Sequence, residues 1–139
     1  MKLHLLLIAR LFLVALFLYA GLPKLLTPQD FALVVFRFHL VPDAAINVIA
    51  LLLPWLEIFG AIALLLPSWR AAGAALLSIM LLVATTAIII NLVRGLDIDC
   101  GCFTLKPGAS PIGLWLIFRN LALLALTLWA GRSTPAAAQ

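Results

Sequence analysis

Both cysteines of the chain fall in one tripeptide, Cys100-Gly101-Cys102, within Gly95-Leu96-Asp97-Ile98-Asp99-Cys100-Gly101-Cys102-Phe103. A cysteine in an apolar protein is most often a small inert hydrophobe on a helix. Two of them one residue apart, in a polar stretch and nowhere else, fit thiol chemistry or metal capture better than packing. A disulfide across a single intervening residue closes a small strained ring, and Gly101 tolerates the dihedrals this requires. Strained, accessible disulfides are the more oxidising and labile ones. The pair therefore suits disulfide exchange better than stapling. Arg94 and Lys106 favour the thiolate, Asp97 and Asp99 oppose it, and Asp99, adjacent to Cys100, could relay a proton. The competing chemistry is soft-metal capture at the same Cys100 and Cys102. Two thiolates with no neighbouring His are too few for a closed tetrahedral zinc centre. They suffice for two-coordinate Cu(I) or Hg(II), and a homodimer would bring four sulfurs together.

The elements that must hold this pair are apolar. Of 139 residues, 66% are hydrophobic and only 10% charged, with mean hydropathy +1.26. Soluble domains run near 45–50% apolar and about 25% charged, so a soluble domain, a disordered chain and a disulfide-rich secreted scaffold are all excluded. The expected solvent is the lipid bilayer. The net charge of +4 comes from scattered Lys and Arg residues that form no run or stripe, which excludes nucleic acid as a partner.

A membrane span needs about 20 mostly apolar residues. Four such stretches, about 3–23, 44–67, 71–93 and 112–131, predict an all-α, four-helix transmembrane bundle in one domain over 1–132, with 133–139 a disordered tail. The first stretch reads as a retained helix and not as a signal peptide, because Arg10 interrupts it and no Ala-x-Ala site follows. Between the first two spans, Thr27-Pro28-Gln29-Asp30 reads as a helix start, with Thr27 as N-cap and Pro28 in the first turn. Phe31, Val34, Val35 and Phe38 then recur at helical spacing, predicting a short amphipathic helix in the membrane interface. Both termini lie on one side and the Cys-Gly-Cys loop on the other. Lys and Arg counts on the two sides do not set the orientation. The cysteine chemistry points to an extracytoplasmic loop in a bacterial-type inner membrane protein.

Three charges fall within the spans, where they are costly and normally paired: Arg10, Glu57 and Arg119. By depth they form a ladder, Arg10–Glu57–Arg119, with one arginine left to serve a thiolate, a quinone oxygen or a mixed-disulfide intermediate. Alternatively, the pairing only fixes helix register. Lys24, at the end of the first span, either snorkels to headgroups or points into the mouth of the bundle. Pro54 should kink the second span beside Glu57. Thr85, Thr86, Asn91 and Asn120 should hydrogen-bond between helices.

Four elements together resemble the MauE/DoxX-like redox-associated membrane proteins. They are Ala20-Gly21-Leu22-Pro23-Lys24-Leu25, Leu53-Pro54-Trp55-Leu56-Glu57, the stretch from Arg94 to Phe103, and Phe118-Arg119-Asn120. The similarity runs from about residue 10 to 129, and the Asp-Cys-Gly-Cys-Phe element is its specific part. Thr104 stands where the family often has glycine. The resemblance implies a four-helix membrane protein serving an extracytoplasmic thioredoxin-like partner, which forms or maintains disulfides in exported proteins. DoxX-like relatives are tied to sulfur and quinone redox reactions. Cys100 and Cys102 would be the redox pair, and Arg10, Lys24, Glu57 and Arg119 the supporting charges. The chain is thus expected to be a membrane thiol–disulfide redox protein passing electrons to a quinone or across the bilayer. The alternatives are a soft-metal binder or transporter, and a non-enzymatic assembly subunit.

Overall fold

A computed structural model describes residues 2–95 and 113–132, and every regular element in it is helical. There are five helices: α1 Lys2–Leu26, α2 Pro28–Phe38, α3 Asp43–Leu65, α4 Arg70–Val93 and α5 Leu114–Ala130. Three of them, α1, α3 and α4, are long and apolar enough to cross a membrane. The chain is built as a multi-pass membrane protein. Helix α5 has 17 residues, at the lower edge of spanning length.

Successive long helices pack antiparallel, α1 on α3, α3 on α4 and α4 on α5, and α5 returns to α1. The C-terminal ends of α1 and α4 and the N-terminal ends of α3 and α5 therefore share one end of the bundle. Residues 96–112, which join α4 to α5, leave and re-enter the fold at that end, called here the loop end. Helix α2 packs chiefly on α3, with Phe31 and Val34 turned inward against Ala50 and Leu53.

Helix α1 does not stop at Pro23 but continues to Leu26. Proline lacks the amide that would bond the carbonyl four residues earlier and its ring crowds that carbonyl, but only three residues of α1 follow Pro23. Helix α2 begins at Pro28 as its sequence predicts, but Thr27 does not cap it. The Thr27 hydroxyl instead donates 2.8 Å back to the Pro23 carbonyl, which also accepts the Thr27 amide. With one residue joining two helices, the orphan carbonyls of α1 compete for the hydroxyl and take it.

The bundle is arranged for lipid. Helix α4 buries Ser78, Thr85 and Asn91 along with Gly73, Leu77 and Ile88, and turns Ile79, Leu82, Val83 and Ile89 outward. Water would select the reverse pattern. The hydroxyls of α4 do not bridge helices as expected. The buried Thr85 and the exposed Thr86 donate to the carbonyls of Leu81 and Leu82 at 2.6 and 2.8 Å, and the buried Thr127 of α5 to that of Leu123 at 2.7 Å, each within its own helix. A Ser or Thr side chain reaches the carbonyl four residues back without any partner helix, so the local bond forms first.

Close approach of α3 and α4 depends on small residues. A methyl group on Gly73 would lie 2.8 Å from the Gly60 carbonyl oxygen, 2.9 Å from Ala63 Cβ and 2.9 Å from the Leu64 amide. Two of these are backbone atoms, so the helices would have to separate. Gly73→Leu is expected to cost about 1–3 kcal/mol or more by overpacking. The exposed Ala75→Leu on the same helix should be nearly silent. Thermal melting of both variants in detergent checks the pair, and equal midpoints would contradict the packing account.

Candidate functional site

Cys100, Cys102 and Asp99 lie outside the described residues. What the structure shows is how the bundle beneath their loop is charged. The charges are not arranged as a three-member ladder.

Glu57 pairs with Lys24. The Lys24 Nζ donates to Glu57 Oε1 at 2.8 Å, and Lys24 is only 4% exposed. Lys24 therefore does not snorkel to the headgroups. Three features of the sequence bring the two together. Continuation of α1 past Pro23 keeps Lys24 on the same helical stripe as Gly21, one turn earlier. Gly21 lets α3 come close: a methyl group there would meet Ile58 Cγ1 at 3.2 Å, and both Glu57 Oε2 and the Pro54 carbonyl at 3.4 Å. Helix α2 then folds back so that the Phe31 ring covers the ammonium, with Nζ 5.0 Å from the ring centroid. This cation–π contact supplements the ion pair in a site closed to water.

The second carboxylate oxygen, Glu57 Oε2, is buried and has no hydrogen-bond partner among the described residues. One turn earlier, Pro54 has no amide hydrogen to offer the Ala50 carbonyl. The interior beside Lys24 thus holds more acceptors than donors. Lys24 is the charge on which the local balance depends.

Arg10 has a different role. Its Nε donates to the Ala130 carbonyl at 2.8 Å and its Nη2 to the Arg132 carbonyl at 2.7 Å. It caps the C-terminus of α5, where carbonyls are orphaned and a cation is favoured by the helix dipole. Arg70 does the same for α3, its Nε donating to the Leu64 carbonyl at 3.2 Å. Both arginines sit at the end of the bundle away from the cysteine loop. Arg10→Leu should destabilise the protein by about 1.5–3 kcal/mol, as for hydrogen bonds to a charged group. Thermal melting in detergent measures the loss, and an unchanged midpoint would contradict the capping role.

At the loop end, Arg94 follows α4 and its Nη1 donates 3.3 Å to the His39 carbonyl. His39 closes α2 in the left-handed region, with φ 53°, and its ring meets Phe36 edge-on with centroids 5.3 Å apart. Arg94 thereby ties the start of the cysteine segment to the α2–α3 turn. Arg119, on α5, donates from Nε and Nη2 to Asn120 Oδ1 at 3.3 and 3.1 Å. Glu57 does not pair with Arg119, as the expected ladder required.

Among the expected site residues, the structure brings Lys24 and Glu57 together and leaves Arg10, Arg94 and Arg119 in three separate places. Phe31 was not anticipated as part of the site. Its signal was present in the sequence, since the apolar stripe of α2 had to face something, and Lys24 lies seven residues before it.

Comparison with known proteins gives one family. Residues 2–132 match the family described as Methylamine utilisation protein MauE. The methylamine utilization protein MauE of Paracoccus denitrificans is 40% identical over 130 residues, covering 92% of this chain and 69% of that protein. The Methylophilus methylotrophus protein of the same name is 38% identical over 122 residues, covering 87% and 64%. That of Methylorubrum extorquens is 40% identical over 118 residues, covering 84% and 62%. The chain therefore spans about two thirds of the length of these relatives. No solved structure matches it.

Proposed function

The chain belongs to the MauE family, and on that premise we propose that it is a membrane thiol–disulfide redox protein working through Cys100 and Cys102. The pair exchanges disulfides with a thioredoxin-like partner on the extracytoplasmic side, and its electrons go to a membrane quinone. The observation that carries this reading is the built end of the bundle. The segment holding both cysteines of the chain follows Arg94, which is tied to the α2–α3 turn, while deeper in the bundle Lys24 and Glu57 neutralise each other under Phe31. A strained Cys-Gly-Cys disulfide needs a rigid platform if it is to be presented to a partner and not buried.

The chemistry balances. When the Cys100–Cys102 disulfide meets a reduced partner, the partner's two thiols become a disulfide and the pair becomes a dithiol. Reoxidation forms the Cys100–Cys102 bond again and releases two electrons and two protons, which convert a quinone to its hydroquinone. Ring strain across one residue favours giving the disulfide away. The two cysteines of these 139 residues make one dithiol pair, and a lipid-soluble acceptor takes its electrons without a second pair.

In this reading α5 is the fourth span, its 17 residues extending about 26 Å. Helix α2 lies in the interface over the Lys24–Glu57 pair. The relatives' names join them to methylamine utilization, and a disulfide-bearing exported protein of such a process is a fitting client. The test is trapping. Changing either Cys100 or Cys102 to Ser should leave the other sulfur in a mixed disulfide with a thioredoxin-like protein, visible on non-reducing gels of membranes and released by reductant. If neither variant forms a reductant-sensitive adduct, the exchange reading fails.

A further inference from the structure

The end of the bundle away from the cysteine loop carries charge of one sign. The acids of the chain are Asp30, Asp43, Glu57, Asp97 and Asp99. None of them belongs to the segments that meet at this end, residues 2–13, 61–77 and 123–132. Glu57 is held by Lys24, which lies fourteen residues or about 21 Å along α1 from Arg10. Arg10 and Arg70 are nonetheless both buried here, 4% and 8% exposed. Packing brings them to one place. The end of α5 lies on the first turn of α4, where a methyl group on Gly131 would overlap Ala74 Cβ, and Ala130, Leu64 and Ala74 share one core cluster. The two guanidinium groups, one bonded at Ala130 and the other at Leu64, are close enough to repel each other.

Helix capping does not exhaust their donors. Arg10 Nη1 and both Nη nitrogens of Arg70 hold no hydrogen bond among the described residues, and none of the three is sealed from the surface. The start of α4 adds to the same positive field. Trp69 gives it no side-chain cap, no acid lies in its first turn, and its first amides have no carbonyl within the helix to bond. Two buried like charges beside such a helix start are costly without a counter-ion. A compact anion with several acceptor oxygens removes that cost, taking the spare guanidinium donors at the positive pole of the helix. The surroundings indicate its source. Trp69 is 61% exposed, and Leu3, Leu7 and Leu11 of α1 also face outward, a setting of interfacial aromatic and lipid-facing side chains. A phosphate tethered to acyl chains suits both. A choline or ethanolamine headgroup would add an ammonium to a site with two cations and no acid, so the fitting headgroup is an acidic one.

We infer that the Arg10–Arg70 end of the bundle binds the phosphate of an acidic phospholipid, one whose headgroup carries no ammonium. Arg10 and Arg70 are then phosphate-binding residues as well as caps of α5 and α3. The assignment stands apart from the cysteine chemistry at the loop end.

The experiment uses the full chain in detergent and measures, by native mass spectrometry, its retention of phosphatidylglycerol against phosphatidylcholine with the same acyl chains. The wild type should prefer phosphatidylglycerol by about tenfold or more, the scale set by two basic residues at a lipid surface. Arg70→Gln, which keeps an amide donor for the Leu64 carbonyl, should lose most of that preference, and Arg70→Lys should keep part of it. Arg37→Gln, an exposed cation of α2, should leave it unchanged. Equal retention of the two lipids overturns the site. So does a preference that persists in folded Arg70→Gln, or one that falls as far in Arg37→Gln, which would make the attraction one of diffuse surface charge. Release of bound phosphatidylglycerol by inorganic phosphate would mean a site for soluble anions and overturn the lipid assignment. If Arg70→Gln does not fold, crosslinking of a photoactivatable phosphatidylglycerol to the wild-type protein in nanodiscs decides. Label on peptides from 64–77 or 123–132 supports the site, and label confined elsewhere overturns it.

Discussion

Lys24→Met will strip about 3–5 kcal/mol from the folded bundle, the usual loss when one member of a buried ion pair is removed. The substitution keeps the length of the side chain and its contact with Phe31, so the loss reports charge and not volume. It leaves a carboxyl group in a closed site where Glu57 Oε2 already lacks a partner among the described residues. The double variant Lys24→Met/Glu57→Gln should recover most of that stability, because replacing both charges removes the cost along with the attraction. Glu57→Gln alone should fall between, leaving the Lys24 ammonium with an amide oxygen and the Phe31 ring. Denaturant or thermal unfolding in detergent, with limited proteolysis of the α1–α2 connection, measures the cycle. A double variant no more stable than Lys24→Met would mean that the pair is not the coupled unit its 2.8 Å geometry indicates.

Cys100→Ser and Cys102→Ser should each reduce disulfide exchange to the uncatalysed background while leaving the melting behaviour within about 0.5 kcal/mol of the parent. The expected loss is complete because a hydroxyl cannot take the place of either sulfur: one attacks, the other resolves, and no third cysteine is present in the chain. The expected neutrality towards folding follows from the size of the change, one sulfur to one oxygen in a polar stretch of sequence between two helices. A folded Ser variant with undiminished exchange would show that the pair is not the working centre.

Much of the architecture could be read from local pattern. The apolar runs foretold the long helices, and the Thr-Pro-Gln-Asp start with its stripe of Phe31, Val34 and Phe38 foretold α2. The pairing of charges could not be read this way, for a geometric reason. Assigning depth from residue number treats the helices as flush and upright. Here Lys24, two residues from the end of α1, lies level with Glu57, fourteen residues or about 21 Å into α3. That offset places the carboxylate beside a lysine expected to snorkel, and beyond the reach of Arg10. The fate of Arg10 has the same origin. Helix α5 ends at Ala130, level with the interior of α1, so its bare carbonyls meet the arginine before any acid does. The threonines of α4 were misjudged for a chemical reason: each carried an acceptor four residues back on its own helix.

The redox claim is tested most directly by the thiol state of one peptide. In intact membranes, free thiols are blocked with a light alkylating agent, disulfides are reduced, and the released thiols are labelled with its heavy form. Mass spectrometry then reads the peptide that contains Cys100 and Cys102. Both sulfurs should shift together between light and heavy label as the quinone to hydroquinone ratio is changed, and again as a thioredoxin-like protein is added in its reduced or oxidised form. A label ratio that ignores both, or a pair that holds stoichiometric Cu(I) or Hg(II) and never forms its disulfide, would contradict the account.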